Sequence, residues 1–341
     1  MQIKQLNIPG YELVVTADEP ASRYRAIVAI HNNKLGPAVG GTRLWSYRSQ
    51  DDALEDALRL ARGMTYKSAA AGLPLGGGKS VIMADGAGPI DREQLFRAHG
   101  RFIESLGGKY ITAEDVGTSP ADMAYIRQET KYVAGLQDAS GDPSPWTARG
   151  VLRGIEASAQ WKWGSGELAG TRVLIQGAGH VGSSLAEYSS QAGARVFVSD
   201  IDASKVSQIV QSCGAHAVPP EAIFDVETDI FAPCALGGII TESVVPRLRA
   251  AIVAGAANNQ LRTPRQADEL SARGIVYAPD YVVNAGGIIN GCIELIGWTR
   301  QQATAKVDAI KETVLQVFEI ARKESISPAT AADRLAESRF Q

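Results

Sequence analysis

Two lysines and an aspartate in the first third of the chain could do acid–base chemistry. Lys67 follows a predicted helix and precedes small apolar residues, Lys79 lies between three glycines and an apolar strand, and Asp115 follows ITAE. Lysine is rarely fully buried without a partner, yet both neighbourhoods predict low exposure rather than a solvated surface. Two ammonium groups in a desolvated cleft would lower at least one lysine pKa toward neutrality, so that it could act as a general base. Asp115 could balance the remaining charge.

A glycine-rich turn in the second half of the chain could hold a dinucleotide. The strand pattern RVLIQ leads into Gly177, Gly179 and Gly182, and a helix pattern follows directly. Glycines at this spacing permit a tight turn, a close approach of backbone N–H groups to a pyrophosphate, and helix-to-strand packing. Asp200 ends the next strand, 23 positions after Gly177, where a carboxylate could accept hydrogen bonds from both ribose hydroxyls. A 2′-phosphate would be repelled there, which favours NAD over NADP.

The elements that must position the lysines form a mixed α/β region. Alternation of apolar and polar residues predicts strands at 11–17, 24–31 and 109–115, and amphipathic periodicity predicts helices at 51–64 and 92–106. The acidic residues at the start of the first helix pattern and the arginine and glycine near its end fit helix termini. We therefore expect this region to fold as one α/β domain, 1–140.

The elements around the glycine turn alternate regularly. After loop-forming residues at 139–145, strand and helix patterns follow each other, which implies a parallel sheet covered by helices on both faces. This pattern predicts a doubly wound, Rossmann-type NAD-binding domain at 145–324. A long helical pattern covers 301–322. A short one follows it, and we expect the C-terminal segment, about 325–341, to rejoin the first domain.

Composition excludes several classes of protein. The 341 residues include 34 Lys and Arg against 37 Asp and Glu, a formal charge of −3, and 45% are hydrophobic, as in ordinary globular proteins. Without a basic patch or a run of like charges, nucleic acid and membrane surfaces are not expected partners. No run of about 18 apolar residues occurs, and the N-terminal sequence lacks a leader pattern, so we expect a cytoplasmic protein.

Cysteine and histidine spacing gives no sign of a metal site. Cys213, Cys234 and Cys292 are far apart in sequence, and the four histidines show no paired ligand spacing. We therefore expect reduced thiols and no bound metal.

Seven motifs, in order along nearly the entire chain, resemble the amino acid dehydrogenase family of leucine, valine, phenylalanine, tryptophan and glutamate dehydrogenases. The chain is most like the leucine branch. The motifs are LGPAVGGTR (35–43), DALRLARGMTYK (56–67), GGGKSVI (76–82), ITAEDVGT (111–118), DIFAPCALGG (229–238), AGAANNQL (254–261) and YAPDYVVNAGG (277–287).

The resemblance implies a reaction and roles for single residues. The family reversibly converts an L-amino acid, water and NAD into the 2-oxo acid, ammonia and NADH. Lys67 would bind the substrate α-carboxylate, helped by the Gly41 backbone and Asn259. Lys79 would be the general base that activates water, and Asp115 would handle the amino group and shuttle protons.

The resemblance also implies a function for each of the two domains. The first would bind substrate and form a homo-oligomer, a dimer or an octamer, and a cleft between the domains would close to exclude water. Thr147, Ala235 and Asn284 lie in stretches expected to contact the cofactor.

The substrate side chain is expected to be apolar. In the glutamate branch a lysine at the position of Val39 receives the side-chain carboxylate, and valine cannot compensate that buried charge. In the leucine branch the pocket is lined by positions that match Val39, Ala113, Ile288 and Gly291, all apolar or small here. We therefore expect leucine, valine or isoleucine to be preferred.

Gly291 departs from the leucine pattern, in which a valine is typical at this position. The smaller residue would enlarge the pocket, so phenylalanine or tryptophan is an alternative substrate, because selectivity per methylene is modest. Gly291 could also be a helix-packing glycine without effect on specificity. Two other classes stay open: a non-catalytic NAD-binding regulatory protein, against which the three retained residues Lys67, Lys79 and Asp115 argue, and a structural protein without a ligand.

Overall fold

The computed structural model describes residues 1–84, 86, 88–136 and 141–341. The chain divides into two compact units, which are described separately below. The first unit holds residues 1–141, 291–297 and 336–341, and the second holds residues 142–290 and 298–335. The loop-rich stretch predicted at 139–145 falls partly on residues 139 and 140, which lie outside the described part of the chain.

The first unit is built on a six-stranded mixed sheet in the order β1-β2-β3-β5-β4-β6. Its strands are Gln2–Leu6 (β1), Leu13–Glu19 (β2), Tyr24–Asn32 (β3), Ala38–Trp45 (β4), Gly76–Met83 (β5) and Tyr110–Glu114 (β6). β4 pairs in parallel with β5 and β6, and the other neighbouring strands are antiparallel. Its helices are Gln50–Ala70 (α1), Arg92–Ser105 (α2) and Pro120–Arg127 (α3).

Apolar side chains on both faces of this sheet are buried. α1 covers one face with Ala53, Ala57 and Ala61, which pack on apolar residues of β2, β3 and β5. The other face packs against α2 and α3 through a larger cluster that includes Phe96 and Phe102. Because side chains alternate along a strand, neighbouring residues of β5 face different helices.

The second unit contains a six-stranded, fully parallel sheet in the order β12-β11-β10-β7-β8-β9. Its strands are Arg172–Gln176 (β7), Arg195–Ser199 (β8), His216–Ala217 (β9), Ile230–Pro233 (β10), Ile252–Val253 (β11) and Val276–Tyr277 (β12). Read from β9, the sequence order is 3-2-1-4-5-6 within this unit, which is the doubly wound arrangement of dinucleotide-binding domains. The predicted Rossmann-type sheet is confirmed.

The helices that follow α3 in the chain begin with the one that opens the second unit. They are Ser144–Trp163 (α4), His180–Gln191 (α5), Ala203–Cys213 (α6), Arg265–Ala272 (α7), Asp280–Val283 (α8), Gly286–Leu295 (α9), Arg300–Asp308 (α10), Ile310–Glu324 (α11) and Pro328–Phe340 (α12). None of the helices in the described chain is long and apolar enough to cross a membrane.

Two predicted helices have different bounds in the structure. The helix predicted to end at residue 64 continues to Ala70, because its alanine face is buried along its length and outweighs the cost of Gly63 inside it. The single helix predicted at 301–322 is two helices that meet at Ala309. There the Thr313 hydroxyl donates a hydrogen bond to the Ala309 carbonyl, a contact that often bends helices.

Candidate active site

Lys79 is a buried lysine in the middle of the first sheet. It lies on β5 beside Ala29 of β3, on the face that α1 covers, and is 4% exposed. Its Nζ lies 2.9 Å from Oδ2 of Asp115, the residue that follows β6. The structure therefore brings together two of the three residues predicted to do acid–base chemistry.

The charges around this pair move both pKa values downward. Burial lowers the pKa of Lys79, and the nearby Arg43 guanidinium lowers it further, while Asp115 opposes the change. Burial alone would raise the pKa of Asp115, but Lys79 and Arg43 outweigh it, so that pKa is lowered. A lysine whose neutral form is favoured in this way is suited to accept a proton from water.

Glycines let the neighbouring strands approach this pair closely. Gly41 on β4 pairs with Ala113 on β6, and a Cβ atom at Gly41 would lie 2.5 Å from the Glu114 carbonyl oxygen and 2.7 Å from the Asp115 Cβ. Any other residue would push Asp115 away from β4. The backbone of Gly41 therefore lies beside Asp115, and its role in binding substrate stays a prediction.

Lys67 lies on the last turn of α1 rather than after a helix, and it is half-buried. The end of α1 is held by the C-terminal residues of the chain: Arg339 Nη1 donates to the Ala69 and Ala70 carbonyl oxygens at 2.9 and 2.5 Å. The Ala69 carbonyl also accepts a hydrogen bond from the Gly72 N–H at 2.8 Å, and Arg339 adds a second donor at this helix end. The C-terminal segment thus fixes the turn that carries Lys67.

Arg43 and Asp56 are polar residues of this site that sequence reasoning missed. Arg43 Nε donates to Asp115 Oδ2 at 3.0 Å, and Arg43 Nη1 donates to Asp56 Oδ2 at 2.8 Å. Arg43 follows Gly41 by two residues on β4, so both face the same side of the sheet. That spacing is a signal that could have drawn attention to Arg43, whereas Asp56 reads as an ordinary acidic residue of a helix.

The predicted dinucleotide turn lies where the order of the second sheet reverses, between β7 and β10. A Cβ atom at Gly182 would lie 1.9 Å from the Gly177 carbonyl oxygen, so only glycine lets α5 pack this closely on the turn. A Cβ atom at Gly179, in contrast, would meet nothing within 4 Å. Within the described residues, no side chain caps α5 at Gly179, which leaves N–H groups there for an anion. These residues fit a dinucleotide.

Asp200 stands immediately after β8, at the edge next to this turn. Its Oδ2 accepts a hydrogen bond from the Ala178 N–H at 2.7 Å, and its Oδ1 accepts one from the Asp202 N–H at 2.8 Å. A carboxylate has about four lone-pair sites, so capacity remains for ribose hydroxyls. Through its hydrogen bond with the Ala178 N–H, Asp200 also stabilises the glycine turn. The sequence did not predict this structural role.

Three further cofactor candidates lie in the second unit. The Ala235 N and Cβ atoms each lie 2.9 Å from the position of a Cβ at Gly177, so Ala235 borders the turn. Asn284 Nδ2 donates to the Ala256 carbonyl and to Asn258 Oδ1, whereas its buried Oδ1 has no hydrogen-bond partner among the described residues. Thr147 Oγ1 donates to the Pro143 carbonyl in the first turn of α4.

The remaining substrate candidates divide between the units. Val39 is buried on β4, where it pairs with Ile111 of β6, and Ala113 lies two residues further along β6. Gly291 belongs to the first unit, and a Cβ there would meet only Leu295 Cδ1, at 3.5 Å, among the described residues. Asn259, which has a φ of 52°, and Ile288 lie in the second unit. Their roles stay predictions.

Two family models match the chain. Residues 11–132 match "Glu/Leu/Phe/Val dehydrogenase, dimerisation domain", and residues 198–340 match "Glutamate/Leucine/Phenylalanine/Valine dehydrogenase". The chain belongs to this dehydrogenase family. It is an amino acid dehydrogenase, and the predicted family, enzyme class and two-domain α/β fold are confirmed.

Curated and solved relatives cover almost the whole chain. A leucine dehydrogenase of Geobacillus stearothermophilus is 51% identical over 99% of this chain and 93% of its own. An L-tryptophan dehydrogenase of Nostoc punctiforme is 46% identical over 97% of this chain and 94% of its own. The crystal structure of the L-tryptophan dehydrogenase from Nostoc punctiforme matches with a TM-score of 0.88 and 44% identity, over 97% of this chain and 96% of that one.

Proposed function

We propose that this dehydrogenase catalyses the reversible, NAD-dependent oxidative deamination of a branched-chain L-amino acid, with leucine, valine and isoleucine preferred. The products are the 2-oxo acid, ammonia and NADH. One observation carries the chemistry: Lys79, buried to 4% exposure, lies 2.9 Å from Asp115. The 51% identity to a leucine dehydrogenase over 99% of the chain supports the substrate class.

The residues of the first unit divide the reaction between them. Lys67 and the Gly41 backbone bind the substrate α-carboxylate. Asp115 accepts a hydrogen bond from the substrate amino group and moves protons to and from it. Lys79, in its neutral form, takes a proton from water as that water attacks the iminium carbon, and this step leads to ammonia and the 2-oxo acid.

The residues of the second unit bind the cofactor. NAD, when bound, accepts the hydride that leaves the substrate Cα. The Gly179 N–H and the N–H groups of the first turn of α5, Gly182 included, would stabilise its pyrophosphate. The Gly177 N–H donates to the Ser199 carbonyl at 2.7 Å, so Gly177 shapes the turn instead. Asp200 binds the ribose hydroxyls and disfavours a 2′-phosphate, while Thr147, Ala235 and Asn284 contact the rest of the cofactor.

The substrate pocket accepts a hydrocarbon side chain. Val39 occupies the position at which a substrate carboxylate would need a cation, and burying that carboxylate beside valine would cost several kcal/mol. Glutamate is therefore excluded, while Ala113 and Gly291 leave room for a branched side chain.

An aromatic substrate, phenylalanine or tryptophan, is the second candidate. The open space at Gly291, where a Cβ would meet only Leu295 Cδ1 at 3.5 Å, specifically favours it. The 46% identity to an L-tryptophan dehydrogenase also supports it.

The test is NADH formation by the purified enzyme with NAD at alkaline pH, with leucine, valine, isoleucine, phenylalanine, tryptophan and glutamate measured side by side. Highest kcat/KM for the branched-chain group supports the first proposal, and highest kcat/KM for phenylalanine or tryptophan supports the second. Turnover of glutamate alone contradicts both proposals. The absence of NADH formation with all six amino acids also contradicts both and favours a non-catalytic NAD-binding protein.

The assembly and location are part of this proposal. The family model that matches residues 11–132 is described as a dimerisation domain, and we propose a homo-oligomer, a dimer or an octamer, which analytical ultracentrifugation distinguishes. A monomer at micromolar concentration would contradict it. We also propose a cytoplasmic location, where reducing conditions match the three cysteine thiols.

A further inference from the structure

Charged side chains alternate in sign from the buried lysine to the surface of α1. Lys79 Nζ contacts Asp115 Oδ2 at 2.9 Å, and Arg43 Nε contacts the same oxygen at 3.0 Å. Arg43 Nη1 also contacts Asp56 Oδ2 at 2.8 Å, and the outer residue Arg59 contacts Asp56 Oδ1 at 2.8 Å. Two cations therefore share one oxygen of Asp115, and Arg43 joins the two carboxylates.

The two cations differ in what they can do with a proton. A lysine loses its proton readily when it is buried, whereas an arginine guanidinium stays charged in proteins. Burial would lower the pKa of Arg43, but Asp115 and Asp56 outweigh it and raise that pKa. Arg43 therefore stays a cation whatever the protonation state of Lys79.

This difference matters for Asp115, of which 25% of the side chain is exposed. If Lys79 were its sole ion-pair partner, a neutral Lys79 would leave a largely buried carboxylate uncompensated, at a large cost in free energy. Lys79 would then have to stay protonated. Because Arg43 contacts the same oxygen, Asp115 keeps one ion pair after Lys79 has lost its proton.

We propose that Arg43 is a positioning residue that keeps Asp115 paired while Lys79 is neutral, and that it thereby sets the pH range in which Lys79 acts as the base. Arg43 does not contact substrate in this proposal, and it acts through Asp115. The proposal rests on the proposed function, because it takes Lys79 to be the base.

Other titratable groups around Lys79 come from every element packed against β5. α1 brings Asp56 and Lys67, and β3 brings His31, whose Nδ1 lies 3.0 Å from Thr65 Oγ1 and whose pKa is lowered by burial and by Arg62. β6 brings Tyr110, a buried phenol that donates to the Gly40 carbonyl, and burial raises its pKa. Burial thus favours the neutral form of both His31 and Tyr110.

Asp56 and Arg43 act on Lys79 in opposite directions. The negative charge of Asp56 raises the pKa of Lys79, and the positive charge of Arg43 lowers it. Loss of Arg43 and loss of Asp56 should therefore move the pH dependence of the enzyme in opposite senses, although both break the same ion pair. A purely structural role for this ion pair would predict similar damage from both changes.

The experiment compares pH profiles of kcat/KM for the preferred amino acid, from about pH 6 to about pH 11, in the wild-type enzyme and four variants. The acidic limb of the profile is the part in which kcat/KM rises with pH as the base loses its proton. In Arg43→Met this limb should move about one unit to higher pH, since loss of a like charge at this distance raises a lysine pKa by about that amount. In Asp56→Asn the limb should move to lower pH. Arg43→Lys keeps the charge and should keep the limb near the wild-type position while kcat falls, because lysine cannot join both carboxylates.

Arg59→Met is the matched control, since Arg59 contacts Asp56 but is 54% exposed, and its limb should stay in place. A uniform loss of rate in Arg43→Met, with the limb unmoved, would overturn the proposal. If Arg43→Met does not fold, Asp56→Asn is the deciding variant. An acidic limb of Asp56→Asn that moves to higher pH or stays in place would overturn the proposal. A wild-type enzyme inactive with every amino acid would instead overturn the proposed function.

Discussion

Lys79 and Ser80 are adjacent on β5, yet their side chains lie on opposite faces of the first sheet. Lys79 points to the face of α1 and contacts Asp115, whereas Ser80 Oγ lies 2.6 Å from Thr42 Oγ1 and 3.3 Å from His99 Nε2. The buried hydroxyl and imidazole groups join β4 and β5 to α2. Hydrogen bonds among buried polar side chains therefore hold the strand that carries Lys79 on the face opposite to α1.

Replacement of Lys79 by alanine should stop turnover without unfolding the enzyme. A general base contributes about 10²- to 10⁴-fold to the rate, so kcat should fall by a factor in that range. Asp115 keeps its ion pair with Arg43 in this variant, so the thermal midpoint should change by a few degrees at most. The measurement is NADH formation at saturating substrate, together with a melting curve and the KM for NAD, which should stay within about threefold of wild type.

Lys109→Ala is the control for this variant, because Lys109 is an exposed lysine of the same unit, and it should turn over normally. Turnover of Lys79→Ala within about tenfold of wild type would show that another group takes the proton from water.

The glycine turn offers a pair of variants that separates cofactor binding from folding. A Cβ at Gly182 collides with the Gly177 carbonyl, whereas a Cβ at Gly179 meets nothing within 4 Å, and the φ of Gly179, −74°, suits alanine. Gly182→Ala should therefore lower stability by about 1–3 kcal/mol. Gly179→Ala should keep its melting temperature and raise the KM for NAD at least about tenfold, since its methyl group would occupy the approach to the pyrophosphate.

Melting curves without cofactor and KM values for NAD check both variants. An unchanged KM for NAD in Gly179→Ala would mean that the pyrophosphate binds elsewhere.

Local patterns were sufficient to predict the parallel sheet of the second unit and the glycine turn beside it. Gly177, Gly179, Gly182 and Asp200 stand within one strand–turn–helix–strand segment, so their spacing along the chain determines their spacing in space. The strand at β4 was harder to predict, because Gly40 and Gly41 read as loop residues. Glycine is needed at both positions because β5 and β6 approach β4 closely there. The approaching residues are distant in sequence, so no local pattern reveals them.

Long-range pairing accounts for the rest of what sequence reasoning missed. Arg43 and Asp115 are 72 positions apart, and Arg339 lies 270 positions from the Ala69 carbonyl that it caps. No periodicity within one element predicts such pairs. The low exposure predicted for Lys79 follows from its apolar strand, but its ion pair with Asp115, and the share of Arg43 in that pair, depend on the order of strands in the sheet.

Gly291 supplies a test of substrate size. Within the described part of the chain, its Cβ position meets Leu295 Cδ1 alone, at the ordinary contact distance of 3.5 Å, so we expect a valine side chain to fit α9 without strain. Gly291→Val should leave the melting temperature unchanged and reduce kcat/KM for phenylalanine relative to leucine by about tenfold, because the added methyl groups take up volume that a ring would need. Gly291→Ala should have a smaller effect in the same direction.

The measurement is the ratio of kcat/KM values for the two amino acids in the wild-type enzyme and both variants. Equal ratios in all three would make Gly291 a packing residue with no part in specificity.

His99 should make the first unit sensitive to acid. Its side chain is fully buried, with Nδ1 2.7 Å from the Tyr24 hydroxyl and Nε2 2.9 Å from Thr42 Oγ1, and burial lowers its pKa to about 3. An unfolded chain takes up a proton at this histidine below about pH 6.5, whereas the folded chain does not until about pH 3. The stabilisation from a neutral His99 is therefore complete above about pH 6.5, and the free energy of unfolding falls by about 1.4 kcal/mol for each pH unit below that value.

Urea unfolding at several values between about pH 5 and about pH 7 measures this slope. His99→Gln cannot be protonated, so its free energy of unfolding should be lower than that of wild type at neutral pH but should fall less steeply as the pH is lowered. His216→Gln, at an exposed histidine, is the control and should keep the wild-type slope. Because burial rather than a neighbouring charge lowers the pKa of His99, added salt should leave the difference in slope unchanged. Equal slopes for wild type and His99→Gln would mean that the buried imidazole does not resist protonation in the folded enzyme.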